Sequence, residues 1–217
     1  MSNKHIDETR RLLLNAAEIK IIVEACAVRI DECFKNEDLL MVCIEKGGLY
    51  FFADLTRAMK TDHVCDFIKA SSYRGQKQEL NISIKSEIVA SDFEGKTVIL
   101  VDDIWDTGHT MQAIIEALHE RANVPREKIY TCVAFHKIRP DVTTKPDFAA
   151  FTIPNVWVYG YGLNNGYGKQ RNLNELHAVP KQENIPIGPD DNIFSDPEAY
   201  KATRDKNMHQ VMELIME

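Results

Sequence analysis

The sequence predicts an α/β protein built on a doubly wound, mainly parallel sheet. Val98-Ile99-Leu100-Val101 is an uninterrupted aliphatic run, as a strand buried on both faces requires. Acidic residues and Gly108 break that run, after which Met111, Ile114, Ile115 and Leu118 repeat at the spacing of an amphipathic helix. The same order recurs upstream. Leu39 to Ile44 runs through Glu45-Lys46-Gly47-Gly48 into a helical pattern at Phe52, Leu55 and Met59. Strands that alternate with helices in this way pair in parallel, because each helix carries the chain back across the sheet.

Taken in order, the first helix starts at Asn15-Ala16-Ala17-Glu18, an N-cap residue with Glu three places on, and shows one apolar face through Ile19, Ile22, Val23, Cys26, Ile30, Cys33 and Phe34. Val64 to Ile68 reads as a strand, and Ser71 to Gln78, without apolar period, as a mobile loop. Leu80, Ile82, Ile84 and, less regularly, Ile88 alternate as a strand does, and Glu94-Gly95 turns the chain into the central strand. Pro125 to Lys128 precedes a strand from Ile129 to Phe135, and Phe148 to Phe151 and Val156 to Val158 are shorter strands. From Pro180 the texture changes. Residues 181–191 are polar and rich in Pro and Asn, and Ser195-Asp196-Pro197-Glu198 opens a terminal helix with Pro at its first position. Tyr200, Met208, Val211, Met212 and Ile215 give that helix an apolar side, which docks either on the same chain or in a subunit interface. The division is therefore a domain over residues 1–180 and an extension over residues 181–217.

Composition narrows the function. The 217 residues are 44% hydrophobic with a formal net charge of −7 and no Lys/Arg-rich block, which gives nonspecific nucleic-acid binding no electrostatic support. No apolar run approaches a membrane span, and the start leads into no signal-peptide core. Cys26, Cys33, Cys43, Cys65 and Cys132 form no C-x-x-C pair. Four of the five lie in apolar segments as core residues would, which predicts a soluble, cytoplasmic chain.

The chemistry concentrates in Asp102-Asp103-Ile104-Trp105-Asp106-Thr107-Gly108-His109-Thr110. A turn at the carboxyl end of a buried strand is where open α/β sheets bind ligands, and the helix that follows offers unpaired N–H groups to an anion. Prenyl-diphosphate synthases carry a similar Asp-Asp-x-x-Asp run on a helix, a setting the strand-like residues before Asp102 exclude. The pattern resembles the phosphoribosyl-diphosphate (PRPP) motif of type I phosphoribosyltransferases. With Glu45 to Leu55, Ser71-Ser72-Tyr73, Lys145 to Phe148 and Val158 to Leu163, in that order and spacing, residues 5–180 are similar to the hypoxanthine-guanine phosphoribosyltransferase family.

That resemblance implies a sheet with a small hood and transfer of ribose 5-phosphate from PRPP to a 6-oxopurine with Mg2+, while the extra C-terminal helix from Ser195 has no counterpart in it. It implies that Asp102 and Asp103 hold the ribose hydroxyls and magnesium, that Thr107, Gly108, His109 and Thr110 wrap the 5′-phosphate, and that Asp106 faces N7 of the purine as proton acceptor. Glu45-Lys46 matches a non-proline cis peptide beside diphosphate, with Gly47 in the same turn, and Ser72-Tyr73 matches a loop that closes over the reaction. Trp157 matches an aromatic that stacks on the base, and Val158 beside it is a further substrate-binding position. The lysine that meets the exocyclic oxygen falls at His136, with Lys137 one place on, and either can fill the role. Asn164 stands at the position of a second metal ligand, and Arg171 competes with Lys169 for the diphosphate. A homo-oligomer, dimer or tetramer, is implied as well. The alternative is a non-catalytic PRPP- or nucleotide-binding regulator of the same fold, against which Asp106 argues, since a sensor needs no proton acceptor.

Overall fold

The computed structural model describes residues 11–74, 80–179 and 197–216. Its main sheet has six strands in the order β4-β3-β2-β5-β6-β7: β2 (Leu39–Glu45), β3 (His63–Arg74), β4 (Leu80–Ile84), β5 (Thr97–Trp105), β6 (Ile129–Lys137) and β7 (Phe148–Ile153). All neighbours are parallel except β3 and β4. Alternation along the central strands divides the core. Leu39, Met41, Cys43, Ile99 and Val101 face one layer, which holds α1 (Ala16–Cys33) and α2 (Leu49–Ala58). Leu40, Val42, Ile44, Val98 and Leu100 face the other, which holds the short α3 (Ala90–Phe93) and α4 (His109–Ala122). Both faces are covered, which is why these strands read as continuous apolar runs.

The first helix starts as its sequence requires. Asn15 Oδ1 accepts from the backbone N–H of Ala17 and Glu18 at 2.9 and 3.0 Å, and Glu18 Oε2 accepts from Asn15 N–H at 2.8 Å. That is a complete capping box.

Three expectations need correction. The segment from Ser71 is not a loop through its first four residues: β3 continues to Arg74 and pairs with β4, Ser72 opposite Ile82 and Tyr73 opposite Asn81. Main-chain bonding holds this hairpin, so its polar residues carry no apolar period. Residues 75–79 lie outside the described residues. The central strand runs past Val101 to Trp105, so Asp102, Asp103 and Asp106 stand on and just beyond a strand end. Two strands give no sequence signal. β1 (Arg11–Leu14) and β9 (Leu176–Val179) join β8 (Trp157–Tyr159) in a separate antiparallel sheet, β1-β9-β8, which is the hood.

The terminal helix, α5 (Pro197–Met216), packs on α1 of the same chain. Met208 enters the main core, and Arg204 lies 3.7 Å from Glu18. The Ser195-Asp196 cap lies outside the described residues.

Candidate active site

After β2 the chain winds outward to β3, and after β5 it winds the other way to β6. The order therefore reverses between β2 and β5, and a crevice opens at their carboxyl ends. A cleft of about 290 Å³ occupies this place. The turn after β2 contributes Glu45 and Gly47, β5 and its turn contribute Asp102, Asp103, Asp106 and Thr110, β6 contributes Lys137, and the hood side contributes Trp157, Val158, Asn164 and Arg171.

Close backbone packing builds the floor. The Glu45–Lys46 peptide is cis, and Gly47 follows it against the end of β5. A Cβ on Gly47 would lie 1.9 Å from Asp103 Oδ2, and one on Gly162 (φ +100°) would lie 2.2 Å from the Gly47 carbonyl oxygen. Only glycine fits either position. Gly108, the N-cap of α4, has φ +78°, and a Cβ there would come within 2.5 Å of the buried Trp105 ring. The turn from Thr107 to Thr110 is thereby pressed down on Trp105, leaving the first N–H groups of α4 unpaired by its own carbonyls. Trp105 Nε1 has no hydrogen-bond partner among the described residues.

Charge is distributed unevenly across the cleft. Burial raises the pKa of Asp102 well above the ordinary carboxylate value, and the adjacent Asp103 charge adds to it. Burial also raises Asp103, while its bond with Asp102 and the Arg171 guanidinium work against the rise. A cation held by these carboxylates would remove the conflict. Among the described residues no group of three or more His, Cys, Asp or Glu side chains is placed to hold a metal alone. A hard cation with one or two carboxylates, completed by substrate oxygens, is the pattern that fits Mg2+. Asp106 goes the other way. Its burial favours protonation, but Lys137 and Arg139 outweigh this and lower its pKa. Lys137 Nζ donates to Asp106 Oδ2 at 3.1 Å and Arg139 Nη1 to Oδ1 at 2.7 Å.

Some predicted residues are brought together and others are not. Lys137 is buried on the cleft wall, whereas His136 is half-buried and off it. Arg171 lines the cleft and donates to the Gly162 carbonyl, whereas Lys169 is exposed outside it. Asn164 lines the cleft, but its Oδ1 already accepts from the N–H of Gly166 at 2.8 Å and of Gly168 at 3.3 Å. Lys46 and His109 are exposed and Thr107 half-buried in their turns. Ser72 and Tyr73 have described backbone only, two and three residues beyond Ala70 on the cleft wall. Sequence reasoning missed Arg139 and Gly162. Arg139 had no signal beyond following Lys137 by two places, while the close spacing of Gly160 and Gly162 could have flagged the tight turn.

A doubly wound sheet with its cleft at the switch point, a phosphate-type turn and paired aspartates beside it define the phosphoribosyltransferase class, and the family described as phosphoribosyl transferase domain matches residues 11–165. The chain is 38% identical over 174 residues to a hypoxanthine-guanine phosphoribosyltransferase of Aquifex aeolicus, covering 78% of this chain and 94% of that one. It is 29% identical over 169 residues to a hypoxanthine-guanine-xanthine phosphoribosyltransferase of Tritrichomonas foetus, covering 77% and 90%. A crystal structure of a hypoxanthine phosphoribosyltransferase from Staphylococcus aureus superposes with TM-score 0.68 and 26% identity over 83% of this chain and 96% of that one. The chain belongs to the hypoxanthine-guanine phosphoribosyltransferase family and is an enzyme.

Proposed function

We propose that the enzyme transfers the 5-phosphoribosyl group of PRPP to N9 of a 6-oxopurine, hypoxanthine or guanine with xanthine as a third candidate, releasing diphosphate in purine salvage. The observation that carries this reading is the Asp106–Lys137 pair, an acceptor and a donor 3.1 Å apart on the cleft wall. A 6-oxopurine presents the complementary edge, with N7–H to give and O6 to receive.

In this reading the 5′-phosphate rests on the turn from Thr107 to Thr110, bound by the unpaired N–H groups at the start of α4 and by the threonine hydroxyls, and Arg171 meets the diphosphate with the cis Glu45–Lys46 turn. Trp157 stacks on the base with Val158 beside it in the base-binding wall, and Lys137 rather than His136 donates to O6. Asp102 and Asp103 hold the ribose hydroxyls and Mg2+, which when bound supplies positive charge against the departing diphosphate. Asn164 offers only a neutral oxygen already engaged in its own turn, so the two aspartates carry the metal. As the bond from C1′ to diphosphate breaks, N9 bonds to C1′ and Asp106 accepts the proton from N7. Ser72 and Tyr73 close over the reacting centre from the β3–β4 hairpin and exclude water.

Residues 1–180 form the catalytic unit in this reading, and residues 181–217 are an extension whose helix α5 packs on α1. The five free cysteines support a reducing, cytoplasmic setting. A homo-oligomer, dimer or tetramer, belongs to this reading because the family resemblance implies it.

Incubation with PRPP, Mg2+ and one of hypoxanthine, guanine, xanthine or adenine tests the reading. The expected products are the monophosphates of the 6-oxopurines, with adenine poor. Preference for adenine, or no nucleotide from any base, overturns it.

A further inference from the structure

We propose that Arg139 is a positioning residue for the proton transfer: anchored by Asp141, it fastens the Asp106 carboxylate beside Lys137 so that the acceptor is aimed before the purine arrives. The proposal rests on the reading of Asp106 as proton acceptor.

Three contacts define the chain of support. Arg139 Nε donates to Asp141 Oδ1 at 3.1 Å and Nη2 to Asp141 Oδ2 at 2.6 Å, a two-point grip that sets the plane of the guanidinium. The remaining arm, Nη1, reaches Asp106 Oδ1 at 2.7 Å. Lys137 holds Oδ2 at 3.1 Å. Each carboxylate oxygen can accept two hydrogen bonds and here accepts one, so each keeps a lone pair and the carboxylate can still receive the N7 proton. Arg139 itself need not touch the base. Its side chain is about one-quarter exposed, against 8% for Lys137, so it approaches the carboxylate from the outer side of the cleft.

The fastening has an electrostatic consequence. The charged groups around Asp106 are Lys137 and Arg139 from the end of β6, Asp102 and Asp103 on its own strand, and Arg171 across the cleft from the hood side. The cations lower the Asp106 pKa, which keeps the acceptor ionised. In turnover the N7–H bond breaks, its electron pair stays on the purine ring as N9 bonds to C1′, and the proton passes to the carboxylate, which Arg139 continues to orient.

Steady-state pH profiles of the wild type, Arg139→Gln, Arg139→Lys, Asp141→Asn and Asp106→Asn test this, with calorimetric PRPP binding as the measure of an intact fold. Arg139→Gln is expected to lower kcat about 10-fold and to move its acid limb to higher pH, because an acceptor with one fewer cation protonates more readily. Arg139→Lys keeps the charge and loses the fork, so it regains the acid limb without regaining full kcat. Asp141→Asn frees the guanidinium to leave Asp106 without touching the cleft, and shows the same fall in kcat and the same move of the acid limb, each on a smaller scale. If Arg139→Gln does not fold, this variant decides. Wild-type kcat, or lower kcat with an unmoved acid limb, in the deciding variant overturns the proposal. If Asp106→Asn also turns over normally, the reading of Asp106 itself has failed; if Asp106→Asn is slow while Arg139→Gln is not, only Arg139's part has.

Discussion

Lys137 Nζ lies 3.1 Å from Asp106 Oδ2, an ion pair that ties the end of β6 to the turn after β5 on one wall of the cleft. His136, one residue earlier on β6, is excluded from that wall, because successive side chains of a strand point to opposite faces. In the proposed reading this ammonium is the donor to the purine oxygen.

Lys137→Ala should weaken use of hypoxanthine and guanine by about 10- to 100-fold in kcat/KM, the cost of a buried acceptor left without its donor. His136→Ala should be mild. Burial and the Lys145 charge lower the His136 pKa, so at neutral pH it carries no charge to offer. Kinetics with both bases check this, and the reverse order of effects reassigns the role to His136.

Asp106→Asn removes the proton acceptor while leaving the phosphate turn in place, and should slow nucleotide formation by roughly 10²–10⁴-fold with PRPP binding retained. Single-turnover rates beside calorimetry separate the two effects.

Gly108→Val should abolish PRPP binding. The new side chain meets the Trp105 ring and occupies a backbone conformation at φ +78° that branched residues avoid. A folded variant that binds PRPP normally removes the 5′-phosphate from this turn.

Asp103→Asn should stabilise the free protein while destroying Mg2+-dependent activity. A carboxyl whose folded pKa is raised favours folding below its unfolded value near 4 and loses that advantage as pH climbs through the folded value. At neutral pH the neutral amide escapes this cost. Thermal melts should show a higher midpoint than wild type, by about 2–4 °C for each kcal/mol released in a chain of this size, with the difference shrinking as pH falls toward 4.

Asn15→Ala breaks the capping box of α1 and should cost about 1 kcal/mol of stability, read from denaturant midpoints, with catalytic constants unchanged.

The features legible in the sequence are those written in local pattern. The aliphatic runs of β2 and β5, the apolar stripes of α1, α2 and α4, the Asn15 cap and the glycine turns after both central strands each depend on residues a few places apart, so period and turn chemistry suffice to read them. The motif from Asp102 to Thr110 is equally compact, which is why the turn and its aspartates could be placed at a strand end from it. Other features wait on partners remote in the chain. Arg11 pairs with Ala178, a contact neither segment encodes alone, so the hood strands β1 and β9 left no trace. The hairpin of β3 and β4 is joined through main-chain bonds that polar side chains do not reveal. His136 and Lys137 were indistinguishable by counting along the chain, because a one-residue slip in a strand exchanges its faces. Only the pairing of β6 with β5 and β7 decides that Lys137 meets Asp106. Arg139 reaches the same carboxylate across 33 residues of sequence, a meeting that depends on where two strand ends finish in space.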